Sequence, residues 1–279
     1  VDLKRALESV LRQTVKDWEV IIVDNHSQDD TRQMVESLRD ERMRFIEVDN
    51  EGVVAFSRNT GWRQARSEYI ALLDSDDWWD PRKLEASLAE LARGADIIYH
   101  DLYLVHSANQ RFFFSRARTR DLRRPIYDEL LFGGNALTNS SVVVRRSILE
   151  KIGGISEDRA LIAFEDYDAW LRIARVTERF VRLARPLGYY WKGGANLSTP
   201  ERTIRNLDHF RNAYLPGGSV LLPAWFHYGY GRAYYHLGSY DLAFEHMRCA
   251  LRGRLVFSKV LKAVLTLIAS SGRRLLGAR

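Results

Sequence analysis

Three carboxylates, Asp74, Asp76 and Asp77, close the apolar run Tyr69 to Leu73 in YIALLDSDDWWD and are followed by two tryptophans and Asp80-Pro81. An Asp-x-Asp at such a turn presents hard oxygen ligands toward one point. That suits Mg²⁺ or Mn²⁺ shared with substrate phosphates better than a dedicated protein cage. The same residues also read as an acidic turn that caps the next helix, with Asp80 as N-cap and Pro81 as the first helical residue. A calcium loop running from Asp74 and Asp76 to Glu85 fails on Trp79, where such a loop needs glycine, and on the helical pattern that begins at Pro81.

A second acidic group, Glu165, Asp166 and Asp168, lies in FEDYDAWLRI, in the first turn of a helix whose apolar face is Tyr167, Trp170, Leu171 and Ala174. First-turn acids are ordinary partners of the helix dipole. Asp24 is a third acid at a strand end, closing WEVIIV.

These residues need a scaffold, and the pattern supplies one. Helices are expected at Leu3 to Leu11, Thr31 to Leu38, Ser57 to Ala65, Pro81 to Leu91 and Ile148 to Ile152. Strands are expected at Trp18 to Val23, Arg44 to Val48, Tyr69 to Leu73, Ala95 to Val105 and Ser141 to Val144. Such alternation predicts an α/β fold, Rossmann-like, with a mostly parallel sheet and helices on both faces. Asp24 and Asp74 then both end strands at the edge where open α/β sheets bind ligands, and belong to one site. Phe112 to Phe114 reads as a strand of a small hairpin, Arg116 to Arg124 as a mobile five-arginine loop, and Gly188 to Ser198 as a loop with a glycine pair.

At 279 residues and 46% hydrophobic content the chain can bury a large core and carry an appendage. A single cysteine, Cys249, excludes an intramolecular disulfide and fits a reducing compartment. The histidines are scattered, which disfavours zinc, and an acidic site disfavours nucleic acid as a partner. No window reaches the length of a membrane-spanning helix, and no secretory signal opens the sequence.

The stretches RALESVLRQT, VIIVDNHSQDDT, SRNTGWRQARSEYIALLDSDDWWDPRKLE, SSVVVRRSILEKIGG and FEDYDAWLRI, in this order from Leu3 to about Ser198, resemble the inverting family-2 glycosyltransferases of the GT-A fold. The resemblance implies a metal-dependent enzyme that moves a sugar from a nucleotide-sugar, UDP-linked, to a glycan or lipid-linked acceptor in surface polysaccharide synthesis. It implies that Asp24 reads the base of the donor nucleotide, Asp74 the ribose, and Asp76 the metal bridging the diphosphate, with Asp77 beside it. Arg58 and Asn59 would line the nucleotide pocket, and Asp166 would be the catalytic base, with Glu165 as the alternative. Three departures stand out. Asn25-His26 replaces the usual aspartate-glycine, and Gly193 stands where the family often has a histidine. The family's first strand precedes the helix with which this sequence opens. A slot one strand wide is therefore expected between Trp18 to Val23 and Tyr69 to Leu73, without direct pairing of the two, as in a fragment of a longer protein that is unstable and inactive by itself.

The expected division is a GT-A domain over residues 1–199 and a helical extension over 200–279. AWFHYGYGRAYYHLGSYDLAFEHMRCALR, from Ala224, resembles one tetratricopeptide-type hairpin turning at Gly238, whose three histidines read as packing or surface residues. Beyond it Phe257, Val260, Leu261, Val264, Leu265 and Ile268 form an apolar stripe with Lys259 and Lys262 opposite. That pattern suits either a helix in the interface of an anionic membrane or one docked on the hairpin. The corresponding location is cytoplasmic, peripheral at the inner face of the plasma membrane. A reading from another class is a non-catalytic adaptor that keeps the fold and binds partners through its helical end.

Overall fold

The computed structural model describes residues 2–107, 110, 112–117, 119–193, 199–215, 222–253, 255 and 257–277, with side chains in the last helix described for 260–271. Arg118, the Gly194 to Ser198 end of the glycine-pair loop, and the side chains of Phe257 and Lys259 lie outside the described residues. The chain forms two compact units. The first holds residues 1–123, 136–157 and 165–195, and the second holds 124–135, 158–164 and 196–279. The expected boundary at 199 is therefore crossed twice, by two segments from within the α/β sequence that pack with the helical part.

In the first unit the order is α1 (Asp2–Leu11), β1 (Val20–Asp24), α2 (Thr31–Ser37), β2 (Met43–Glu47), α3 (Val54–Gln64), β3 (Tyr69–Ala71), β4 (Trp78–Trp79), α4 (Lys83–Ala92), β5 (Ile97–His100), β6 (Leu102–Val105) and β7 (Arg116–Ala117). In chain order α5 (Ile126–Gly133), which belongs to the second unit, comes next. It is followed by β8 (Val143–Arg145), α6 (Arg146–Lys151), α7 (Glu165–Ala174), β9 (Phe180–Leu183) and β10 (Gly188–Trp191) of the first.

Among the described residues the strands form three sheets, ordered β1-β2, β3-β8-β5-β9 and β4-β10-β6-β7. Parallel pairs (β1-β2, β5-β9, β6-β10) are matched by antiparallel ones (β3-β8, β5-β8, β4-β10, β6-β7), so the sheets are mixed and not mostly parallel. The reason lies in β8, which runs against both neighbours between β3 and β5. β1 shares no ladder with β3 among the described residues, and the direct pairing that would join the two strands does not occur.

Four local expectations are corrected. The helix after the acidic turn starts at Lys83, because Trp78-Trp79 pairs with β10 and the Asp80 carboxylate accepts the Arg82 amide in a turn ahead of the helix. Phe112 to Phe114 is not a strand; Arg116–Ala117 pairs with β6 in its place. Thr119 and Arg120, expected within a mobile loop, are held in place: Thr119 donates to the buried Asp101 carboxylate and the Tyr99 hydroxyl to the Arg120 carbonyl. Gly188–Trp191, expected as loop, is a strand between β4 and β6, and a Cβ at Gly188 would come within 2.9 Å of the Trp78 carbonyl and of Leu102.

The second unit is helical: α5, then α8 (Pro200–Tyr214), α9 (Ala224–His236), α10 (Tyr240–Ala250) and α11 (Phe257–Gly277). α9 and α10 form the expected hairpin, with Gly238 in the left-handed region (φ +78°) at its turn, a conformation glycine adopts without steric cost. Its core gathers Phe210, Trp225 and Phe226, and the Trp225 indole donates to the Leu131 carbonyl of α5. Among the described residues no helix is long and apolar enough to cross a membrane.

Candidate active site

The acidic turn leaves β3 and is clamped from both sides. The Asp74 amide donates to the Ser140 hydroxyl (3.0 Å), and the Trp79 indole donates to the Ser140 carbonyl (2.7 Å). From α1, the Ser9 hydroxyl accepts the Trp79 amide, and Arg5 donates to the Asp76 carbonyl (2.9 Å) while stacking on the Trp78 ring at 3.8 Å. Neighbouring side chains of the turn thereby receive opposite fates. Asp77 faces inward, with 1% of its surface exposed, and one carboxylate oxygen accepts the Trp191 amide (2.9 Å). Burial, with Asp74 and Asp76 adding to it, pushes its carboxyl up to about 7. Asp77, expected beside Asp76 as a metal ligand, is thus a fold-directed acid that ties the turn to β10.

Asp76 is partly exposed, and its carboxylate takes no hydrogen bond from another residue among the described residues. Burial and then the Asp74 charge raise its pKa, so a cation placed here would relieve a strain the protein leaves standing. No group of three or more His, Cys, Asp or Glu side chains converges as a metal cage among the described residues. A two-carboxylate edge fits Mg²⁺ or Mn²⁺ completed by a ligand's own oxygens, the arrangement these ions favour in phosphate sites.

Arg58, from the second turn of α3, joins the two acidic clusters. One guanidinium nitrogen donates to Asp74 Oδ1 (2.8 Å) and the other to Glu165 Oε1 (2.6 Å) at the start of α7. Asn139 donates to the same Asp74 oxygen (2.8 Å). Next to Glu165, the Asp166 carboxyl is pushed up to about 7, by burial first and the Glu165 charge second, with Arg58 pulling the other way. A carboxylate with a pKa near neutrality is matched to taking a proton at physiological pH. Glu165 is engaged by Arg58, and the Asp166 carboxylate accepts the Tyr167 amide (2.6 Å).

Asn59 is placed differently from the expectation that it lines a nucleotide pocket. Its amide nitrogen donates to the Ile155 carbonyl and to Glu157, both at 2.7 Å, and its oxygen accepts the Trp62 indole (2.8 Å) and the Ile155 amide (2.9 Å). All four positions of the side chain are used inside the protein, and Asn59 holds the 155–157 segment to α3. Gly154 permits this approach, since a Cβ there would fall 2.8 Å from the Asn59 oxygen.

Asp24 stands apart from the Arg58 network, with no hydrogen bond or ion pair to it among the described residues. Its oxygens accept the Ser27 amide (2.8 Å) and hydroxyl (2.5 Å), which shapes the loop after β1. Asn25 then accepts the Asn50 amide, and Asn50 reaches Ser57 on α3, so the loops after β1 and β2 share an anchor on the helix that carries Arg58.

Arg5, Ser9, Asn139, Ser140, Tyr190 and Trp191 take part without having been singled out in the sequence. Tyr190 on β10 lies within the fields of Asp77, Asp74, Asp76 and Asp166, and burial followed by these charges raises its phenol pKa. The TNSS run before β8 is the one signal that could have pointed to Asn139 and Ser140, as small polar residues adjoining a buried strand.

Comparison with known proteins agrees with this architecture. The model described as "Glycosyl transferase family 2" matches residues 2–153. An uncharacterized glycosyltransferase of Methanocaldococcus jannaschii, MJ1057, is 29% identical over 178 residues, covering 61% of this chain and 59% of the relative. The Escherichia coli protein named UDP-Glc:alpha-D-GlcNAc-diphosphoundecaprenol beta-1,3-glucosyltransferase WfgD is 29% identical over 178 residues, covering 62% of this chain and 64% of its own. The chain thus spans under two thirds of the length of these relatives. Among solved structures, S. aureus TarS 1-349 superposes with a TM-score of 0.59 at 19% identity, covering 96% of this chain and 85% of that one, and its complex with UDP with 0.57. The fold is of the GT-A type, and the chain belongs to glycosyl transferase family 2.

Proposed function

We propose that this protein is an inverting glycosyltransferase that moves a sugar from a nucleotide-sugar, a UDP-sugar, to a hydroxyl of a glycan or lipid-linked acceptor in surface polysaccharide synthesis. The observation that carries the reading is the Arg58 bridge, which places the strand-end acid Asp74 and the helix-start acids Glu165 and Asp166 in one electrostatic unit. Asp166 would take the acceptor proton as the hydroxyl attacks the anomeric carbon. Asp74 would hold the ribose, Asp24 the base, and Asp76 a Mn²⁺ or Mg²⁺ ion that neutralises the diphosphate as it leaves. The names of WfgD and of TarS in complex with UDP support a uridine-linked donor and a lipid-linked acceptor by similarity. A station at the inner face of an anionic membrane fits such an acceptor.

Calorimetric titration of the protein with UDP, with and without Mn²⁺, tests the reading, followed by a hydrolysis screen over nucleotide-sugars. Metal-dependent UDP binding and turnover of one donor are expected. Absence of any nucleotide binding would favour the adaptor that keeps the fold without the chemistry.

A further inference from the structure

The last helix resolves the two uses its sequence allowed, because it presents two different faces. Ala263, Thr266 and Ser270 are buried where α11 packs against α10 and α9. Their small side chains let the helix sit close, and the Thr266 hydroxyl is satisfied by the Lys262 carbonyl (2.8 Å). Three of the larger residues face away from this packing: Leu261, Leu265 and Ile268 are 52%, 57% and 63% exposed. At 3.6 residues per turn the exposed trio lies roughly 165° from the buried trio, so the aliphatic stripe faces directly away from the hairpin. Lys262 is exposed on its flank.

We infer that the Leu261, Leu265 and Ile268 face of α11 is a docking surface for an anionic lipid bilayer, with the helix lying in the plane of the interface. Charge selects this occupant. After Glu245 the sequence has no acidic residue and carries Arg248, Arg252, Arg254, Lys259, Lys262, Arg273, Arg274 and Arg279. A second copy would bring a like-charged surface against it, whereas an anionic bilayer supplies both the opposite charge and an apolar phase for the aliphatic stripe. α11 is not apolar enough to span, which leaves the in-plane arrangement. The inference stands on the helical unit and does not rest on the transfer reaction.

The test is co-sedimentation of the full chain with vesicles of phosphatidylcholine alone and of equal parts phosphatidylcholine and phosphatidylglycerol. Binding is expected to the anionic vesicles only. It should fall at least about tenfold in Leu261→Gln/Leu265→Gln/Ile268→Gln and on the order of tenfold in Lys262→Glu, and weaken with salt. Helix content by circular dichroism should be unchanged, and UDP affinity should serve as an independent control on the α/β unit. Lys262→Glu, a single exposed change, keeps the test readable if the triple variant misfolds. Equal binding by Lys262→Glu and wild type, binding to neither vesicle, or a concentration-dependent dimer abolished by the triple change would each overturn the inference.

Discussion

Replacing Arg58 by methionine removes the side chain that bridges Asp74 and Glu165 while keeping a similar stem. The Arg58 side chain is 16% exposed and its two hydrogen bonds are 2.8 and 2.6 Å long, so the pairs are largely desolvated. Asp74 would retain Asn139, but Glu165 would lose its only hydrogen-bond partner among the described residues, and its second oxygen already has none. Breaking a buried pair from one side costs about 3 to 5 kcal/mol. Asp74 is a third exposed, which argues for the lower end, about 3 kcal/mol, or roughly 6 to 12 °C in Tm for a chain of this size. Chemistry should shift as well. Arg58 opposes the rise of the Asp166 pKa, so its loss moves the acidic limb of the pH-rate profile to higher pH, and activity lost at neutral pH should partly return in alkali. Thermal melts combined with a transfer assay across pH measure both effects, and Arg58→Lys should fall between the two. A melting point within about 2 °C of wild type together with an unmoved pH profile would refute the bridging role.

Three further outcomes follow from the same geometry. Asp76→Ala should weaken Mn²⁺-dependent UDP binding at least about tenfold while Asp77→Asn leaves it unchanged, because only Asp76 faces outward; calorimetry on both variants decides. Asp77 and Asp166 keep their protons to about pH 7 when folded but only to about 3.8 when unfolded, so the folded state binds more protons between these values and stability must fall as pH rises through 7. The loss is on the order of 4 kcal/mol per group at most; the buried His100 and half-buried His246, held neutral with lowered pKa values, act in the opposite direction below about pH 6.5, so the readout is the comparison with Asp77→Asn, which should lose less Tm between pH 5 and pH 8 than wild type does. Asp96 and Asp101, whose pKa values are depressed, act only below about pH 4 and do not mask the effect. Asn59→Ala should cost about 3 kcal/mol in denaturant unfolding, since it strands the Trp62 indole and the Ile155 amide in the interior.

How much of this was legible follows from what each feature depends on. The turn at Asp74 to Asp77 and the amphipathic helix of Glu165 to Ala174 are written in local periodicity, and the structure places both where that pattern put them. Which acid of the turn faces out is set by Ser140, Trp191 and Arg5, distant residues whose approach no spacing encodes. Trp78-Trp79 and Gly188–Trp191 are strands only because they pair with each other and with β6, and short segments starting at a turn or a glycine carry no alternation to detect. Strand direction depends on connections, so β8 entering against its neighbours was invisible. Asn59 was assigned by resemblance to a ligand, yet its four hydrogen bonds are a tertiary matter. The tail was legible as amphipathic but not as to which residues dock: the small ones do, and Leu261, Leu265 and Ile268 face away.

The central claim is that Asp166 takes the acceptor proton while the donor is held elsewhere. It is tested most directly by measuring sugar transfer and UDP affinity side by side in Asp166→Asn. The side chain keeps its shape and loses its basicity, so transfer should fall by at least about a thousandfold while UDP affinity stays within about twofold of wild type. Near-normal transfer by this variant would contradict the account and move the base to Glu165.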